Sequence, residues 1–363
     1  MPITKKLAHR GLSLFFERLN IQEKINLARH LSIVVKAGLP LIEGLKIIQN
    51  QTRSKTLNEI LSGLIADVDK GQSLADGLEE HKHIFGDFFI NIIRVGESSG
   101  TLSQNLLYLA DELKKSKELK SKIKSAMVYP MVILFATVGI TAFLTFVVFP
   151  KIIPVFTGLN VELPATTQFL ISVLEFSKTY GIYVLLGAVA LIIGFRFALR
   201  NSAFRYIIHR CIFLIPVVGD LAVNINMTNF ARILGLLLRS GIRIVEAVTI
   251  TANTFQNMVY KKILIDSTDQ IRKGEQLAQY LSEKEKFFPL LLSGMIRIGE
   301  NTGNLEDNLF YLSEYYTEEV DGKVRSLTTL LEPIMLLFMG ILVGFVAISI
   351  ILPIYSISSG LSQ

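Results

Sequence analysis

The sequence predicts an all-α protein that spans a membrane three times and carries two homologous helical bundles on one face of it. Three observations carry that prediction: a repeat running the length of the chain, long stretches without charge, and basic residues gathered on one side of those stretches. The repeat comes first, because self-similarity at a fixed offset decides architecture before any local motif does. Arg94-Val95-Gly96-Glu97-Ser98-Ser99-Gly100 returns 203 positions later as Arg297-Ile298-Gly299-Glu300-Asn301-Thr302-Gly303. At the same offset, without a gap, Ala28-Arg29 lies over Ala231-Arg232, Gly38 over Gly241, Glu43 over Glu246, and Asn105-Leu106 over Asn308-Leu309. Pro130 and Pro150 fall on Pro333 and Pro353, and each pair brackets an apolar run.

Half of the 363 residues are hydrophobic and 19% are charged, an excess of apolar residues for a water-soluble chain. Residues 131–149 and 334–352 hold no charge, and Tyr180–Leu199 holds only Arg196. Each is close to the roughly 20 residues that carry a helix across a bilayer, so spans are expected at 130–150, 180–199 and 333–353. Lys114, Lys115, Lys117, Lys120, Lys122 and Lys124 precede the first span, whereas 151–179 has only Lys151 and Lys178. Positive charge stays on the cytoplasmic side. The amino terminus is therefore expected inside and the tail, 354–363, outside, with domains 23–125 and 227–328 both cytoplasmic. The net charge of +6 follows from this orientation and gives no reason to invoke nucleic acid. The single cysteine, Cys211, excludes an internal disulfide.

In chain order, residues 1–22 form a basic leader without a secretory cleavage pattern, whose Leu12, Leu14, Phe15 and Phe16 offer apolar contact to the inner membrane surface. Helices are expected at 23–36, stopped by Gly38, then at 41–50 and 55–69, with a short one opened by Ser73 and Asp76. A further helix, 85–95, is expected to stop at Gly96 by positive φ, with Gly100 giving room to reverse. Thr101 and Gln104 then form a capping box for a long helix that runs to the membrane, bends at Pro130 and couples domain to span. The external segment, 151–179, carries an interfacial helix at Thr167–Lys178. The linker, 200–226, is expected to be a surface helix and not a fourth span. The second copy repeats the set at 227–238, 245–254, 259–271, 277–282 and 288–298, with its long helix starting near Leu305.

Glu97 and Glu300, one in each repeated turn, have two readings. Either they support the amino end of the following helix through its dipole, or they are exposed contacts for partners or oxygen ligands for a cation. Glu43 and Glu246 carry the same ambiguity, and Arg94 and Arg297 suit either helix ends or ion pairs with those glutamates. Thr137, Thr141 and Thr145, at i, i+4 and i+8, form one face of the first span and read as helix-packing contacts. His81 and His83 sit in a polar loop and have Lys284 and Lys286 as counterparts, which argues against metal. No nucleophile–base set and no Walker-type phosphate loop is present in the sequence, so neither catalysis nor a cofactor is expected.

Ala37-Gly38-Leu39-Pro40-Leu41-Ile42-Glu43-Gly44-Leu45, Gly71-Gln72-Ser73-Leu74-Ala75 and Gly96-Glu97-Ser98-Ser99-Gly100, with counterparts in copy two, resemble the inner-membrane platform proteins of type IV pili and type II secretion systems. The resemblance covers residues 23–355. It implies bundles of about six helices and a platform at the base of an envelope-spanning machine. The expected partners are a cytoplasmic hexameric ATPase, pilin or pseudopilin subunits, other inner-membrane assembly proteins, the lipid bilayer and further copies of the chain. A pseudopilus or competence platform is the near alternative. A small repeat-built transporter is the alternative of another class, disfavoured because spans one and three lack ionisable groups.

Overall fold

A computed structural model describes residues 19–157, 164–199, 201–215 and 218–360. The apolar residues of the leader and the end of the tail lie outside them. Every regular element among the described residues is helical.

The first copy opens with α1 (Ile21–Lys36), where Asn20 and Glu23 form a reciprocal capping box. There follow α2 (Leu41–Gln51), α3 (Lys55–Asp69), α4 (Leu74–Glu79), α5 (Lys82–Ser99) and α6 (Leu102–Ala126). Gly38 and Gly241, at φ +76° and +87°, supply the left-handed stops expected of them. Glu43 and Glu246 are exposed in the first turns of α2 and its counterpart. The second copy contains α11 (Val218–Arg239), α12 (Ile244–Thr254), α13 (Met258–Arg272), α14 (Leu277–Ser282), α15 (Leu290–Thr302) and α16 (Leu305–Gly360). The first copy ends with α7 (Val128–Phe143) and a π-helical turn at Leu144–Val148, and α8 (Phe149–Thr157), α9 (Ala165–Ala198) and α10 (Ser202–Ile212) lead from it to the second.

The chain divides into two compact units. Unit 1 holds the described residues of Met1–Ser121 and Ile208–Val320, hence both bundles. They share one apolar core: Leu61, Ile93 and Leu106 from the first copy and Phe230, Leu264 and Leu309 from the second belong to a single cluster. Apart from neighbours within a copy, α5 of the first packs on α12 of the second. Burying these apolar side chains, at roughly 1.5–3 kcal/mol each, makes the two bundles one folding unit.

Unit 2 holds Lys122–Ile207 with the described part of Asp321–Gln363. Its outer faces carry exposed large apolar side chains such as Phe135, Leu191 and Leu337, the surface expected of segments bathed in lipid. Its small core is Phe149, Leu170 and Leu174, and the Thr167 hydroxyl donates to the Ser349 carbonyl at 2.8 Å.

Several expectations are corrected. The interfacial helix and the second span are one helix, α9, of 34 residues, because nothing between Thr167 and Leu199 breaks it. In place of the bend expected at Pro130, the helix is interrupted three residues earlier, at Met127, which itself keeps right-handed helical backbone angles. A proline ring clashes with the carbonyl four residues back, here that of Ala126, where α6 ends, and Pro130 itself occupies the first turn of α7, where its missing N–H leaves no bond broken. Pro333 is absorbed within α16, which runs unbroken for 56 residues. The linker is α10 plus the start of α11. By length and composition four helical stretches among the described residues suffice to cross a membrane, the additional one being α11, but Phe230, Leu234 and Leu237 of α11 are fully buried in the unit 1 core.

Candidate functional site

The repeated turn ties three helices together in each copy. Glu97, half-buried on α5, accepts hydrogen bonds from the Leu74 and Ala75 amides at 2.6 and 2.9 Å. Glu300 does the same to Leu277 and Ala278 at 2.8 and 3.1 Å. Both carboxylates therefore cap the amino end of a helix, but it is α4 or α14, more than twenty residues earlier, and not the following helix as the sequence suggested. A six-residue helix leaves most of its amide donors without internal partners, and a carboxylate against two of them satisfies donors and dipole at once.

Gly96 and Gly299 also act differently from expectation. Both lie inside helices, and the left-handed residues are Gly100 and Gly303, at φ +73° and +76°. What Gly96 and Gly299 provide is closeness: a Cβ at Gly96 would stand 2.9 Å from Leu102 Cα, and one at Gly299 2.7 Å from Leu305 Cα. That contact lets Asn105 donate to the Ile92 carbonyl at 3.2 Å and Asn308 to Met295 at 2.9 Å. The expected capping box is not formed, since the Thr101 hydroxyl meets Ser99 and Gln104 donates to Tyr108.

Arg94 pairs with Glu79 at 3.1 Å and Asp76 at 3.5 Å, both on α4, and not with Glu97. In copy two those acids are replaced by Ser282 and Gln279, and Arg297 is exposed.

A feature that sequence reasoning missed joins the copies. Arg232 of α11 meets Glu112 of α6 at 3.1 Å, with side chains only 5% and 10% exposed. Arg232 also donates to Ser313 at 3.3 Å and Thr317 at 3.0 Å. Burial pushes the Glu112 carboxyl up to about 7 against the pull of Arg232. Glu112 borders a groove of about 470 Å³ whose lining mixes Asp111 and Glu314 with Lys115 and Arg239. Arg232 was visible as a repeated residue, but Glu112 has Tyr315 as its counterpart, so the repeat gave no signal for the partner. The one available hint was an arginine amid the apolar spacing of α11.

Among the threonines of the first span, Thr137 and Thr145 are buried and Thr141 is half-buried. Thr145 lies in the π-helical turn, against which α9 packs. His81 and His83 stand at the start of α5 and not in a loop.

The geometry defines a class: a duplicated helical module, each copy closed by the same clasp and leading into a long apolar helix. The chain belongs to the family described as type II secretion system protein F, which matches it twice, over residues 27–150 and 230–353. It is 37% identical over 335 residues to a type IV pilus assembly protein PilC of Thermus thermophilus, covering 92% of this chain and 82% of that one. It is 32% identical over 356 residues to a type II secretion system protein F of Pseudomonas aeruginosa, covering 98% and 88%. A PilC of Myxococcus xanthus is 31% identical over 333 residues, covering 92% and 80%. These relatives and the apolar helices make it an inner-membrane protein of pilus or secretion machinery.

Proposed function

We propose that this protein is the inner-membrane platform of a type IV pilus or a related filament machine, passing the work of a cytoplasmic hexameric ATPase to pilin-like subunits entering the filament. Spans at 130–150, 180–199 and 333–353 leave domains 23–125 and 227–328 in the cytoplasm and the tail outside. The observation that carries the reading is the twofold family match, each copy ending in a helix apolar enough to cross the bilayer. Glu97 and Glu300 hold bundle shape in this reading, because both oxygens of each carboxylate already accept amide donors. Motor contacts then belong to exposed groups, Glu43 and Glu246 among them.

Mild cross-linking in native membranes followed by identification of the captured chains is expected to yield a Walker-type ATPase and a pilin or pseudopilin, together with further copies of the platform. Capture of neither, with solute flux through proteoliposomes holding this protein alone, would replace the platform with a transporter. A reporter fused after Gln363 is expected to be active only outside the cytoplasm.

A further inference from the structure

The two bundles meet through unlike surfaces. Helix α5 of the first packs on α12 of the second, whereas no comparable packing joins α15 to α2, the equivalent pair with the copies exchanged. A twofold arrangement of the bundles would have used both. The contact is therefore head-to-tail, and it leaves one surface of each kind open: α2 on the first bundle and α15 on the second.

Burial at equivalent positions shows the same asymmetry. Asp87, Phe88, Asn91, Arg94 and Val95 of α5 are half-buried, and their counterparts Leu290, Leu291, Gly294, Arg297 and Ile298 of α15 are all exposed. Ile298 is 53% exposed. On the other side of the contact Ile250 of α12 is 6% exposed, while Ile47, its counterpart on α2, is 41% exposed. The open α15 face is the more apolar of its pair, carrying Leu290 where the covered α5 has Asp87. Exposed aliphatic side chains grouped on one helix face mark an interaction surface, and here the chain itself contains a worked example of what fits it.

We propose that α15 of one molecule docks on α2 of a second copy, repeating between chains the α5–α12 contact within each chain. Leu291 and Ile298 then cover Ile47 of the neighbour. A contact between unlike surfaces closes into a ring or runs on as a chain of subunits, and does not stop at a symmetric pair. The platform thereby becomes a ring or row of alternating first and second bundles, with every bundle meeting its neighbour in the same sense.

The proposal rests on the reading that the platform self-associates, and the test separates the two. Two differently tagged full-length chains, both Cys211→Ser, are co-expressed in membranes, one carrying Ile47→Cys and the other Ile298→Cys. Oxidation is expected to link the two tags to each other, and a chain carrying both substitutions is expected to give a ladder of products longer than a dimer. Either cysteine linking to itself in preference to its opposite would overturn the head-to-tail contact in favour of a twofold one. Tags that co-purify without cross-linking, at these positions and at Lys46→Cys with Leu291→Cys, would overturn the interface alone. Tags that do not co-purify at all would overturn self-association with it. Ile298→Glu, at an exposed site, is expected to reduce co-purification at least tenfold with helix content unchanged.

Discussion

Arg29 and Arg232 occupy the same place in the two copies, yet one is at the surface and the other is at the centre of the molecule. Arg29 meets Asp111 of its own bundle at 3.1 Å, with both side chains more than a third exposed. Arg232 reaches across to Glu112 of the other bundle and is almost wholly buried. The duplication thus supplied two identical arginines, and docking of one bundle on the other gave only one of them a buried partner. Arg94 and Arg297 differ in the opposite sense, the first copy keeping the acids and the second losing them. The clasp residues Glu97 and Asn105 make the same contacts as Glu300 and Asn308, whereas Arg232, which faces the other bundle, does not share those of Arg29.

The largest expected effect breaks the first comparison. Above pH 7, where the Glu112 carboxyl is charged beside it, Arg232→Ala leaves Glu112 buried without its partner and should destabilise unit 1 by about 3–5 kcal/mol, whereas Arg29→Ala should cost less than about 1 kcal/mol, both read by denaturant unfolding in detergent. Equal losses would mean that the bundles are not held by this pair. Next come the clasps: Gly96→Ala and Gly299→Ala drive a methyl into a neighbouring backbone and should each cost about 1–3 kcal/mol, the second more because its approach is closer. Glu97→Ala and Glu300→Ala strip two amide donors of their acceptor and should cost about 1–3 kcal/mol each, and a loss in only one copy would deny the equivalence of the turns. Smallest is Arg94→Ala, below about 1 kcal/mol as the loss of an exposed pair, against no measurable change in stability for Arg297→Ala.

The Glu112 carboxyl adds a pH dependence with a definite sign. Its pKa is raised by burial from 4.5 to about 7, so between those values the folded chain holds the proton and the unfolded chain does not. Its contribution to stability is fully present below about pH 4.5, falls as pH rises towards 7, and is level above that. Unfolding midpoints of the wild type relative to Glu112→Gln should follow that course.

Much of this was legible in the residues. The 203-residue offset located both turns, and spacing together with that offset placed α3 and α14 to the residue and α2 and α12 within one. Local rules misjudged the turn itself, assigning Gly96 a positive φ and Glu97 to the next helix. A glycine before a reversal and an acid near a helix start look alike whether they act locally or on a neighbour twenty residues away. The break before α7 was similarly misplaced, because the clash of Pro130 is felt by the carbonyl four residues back and not at the ring.

Sequence by itself determined the helices, the duplication and the apolar stretches, since each depends on residue types at short spacing or on comparison of the chain with itself. Only tertiary structure decided that the bundles join through unlike faces, that Arg232 and not Arg29 is buried, and that the α2 and α15 faces stay open. Two copies of one module carry the same local instructions, and which of their surfaces meet depends on differences of a few side chains, such as Glu112 against Tyr315, whose effect is felt only across the contact.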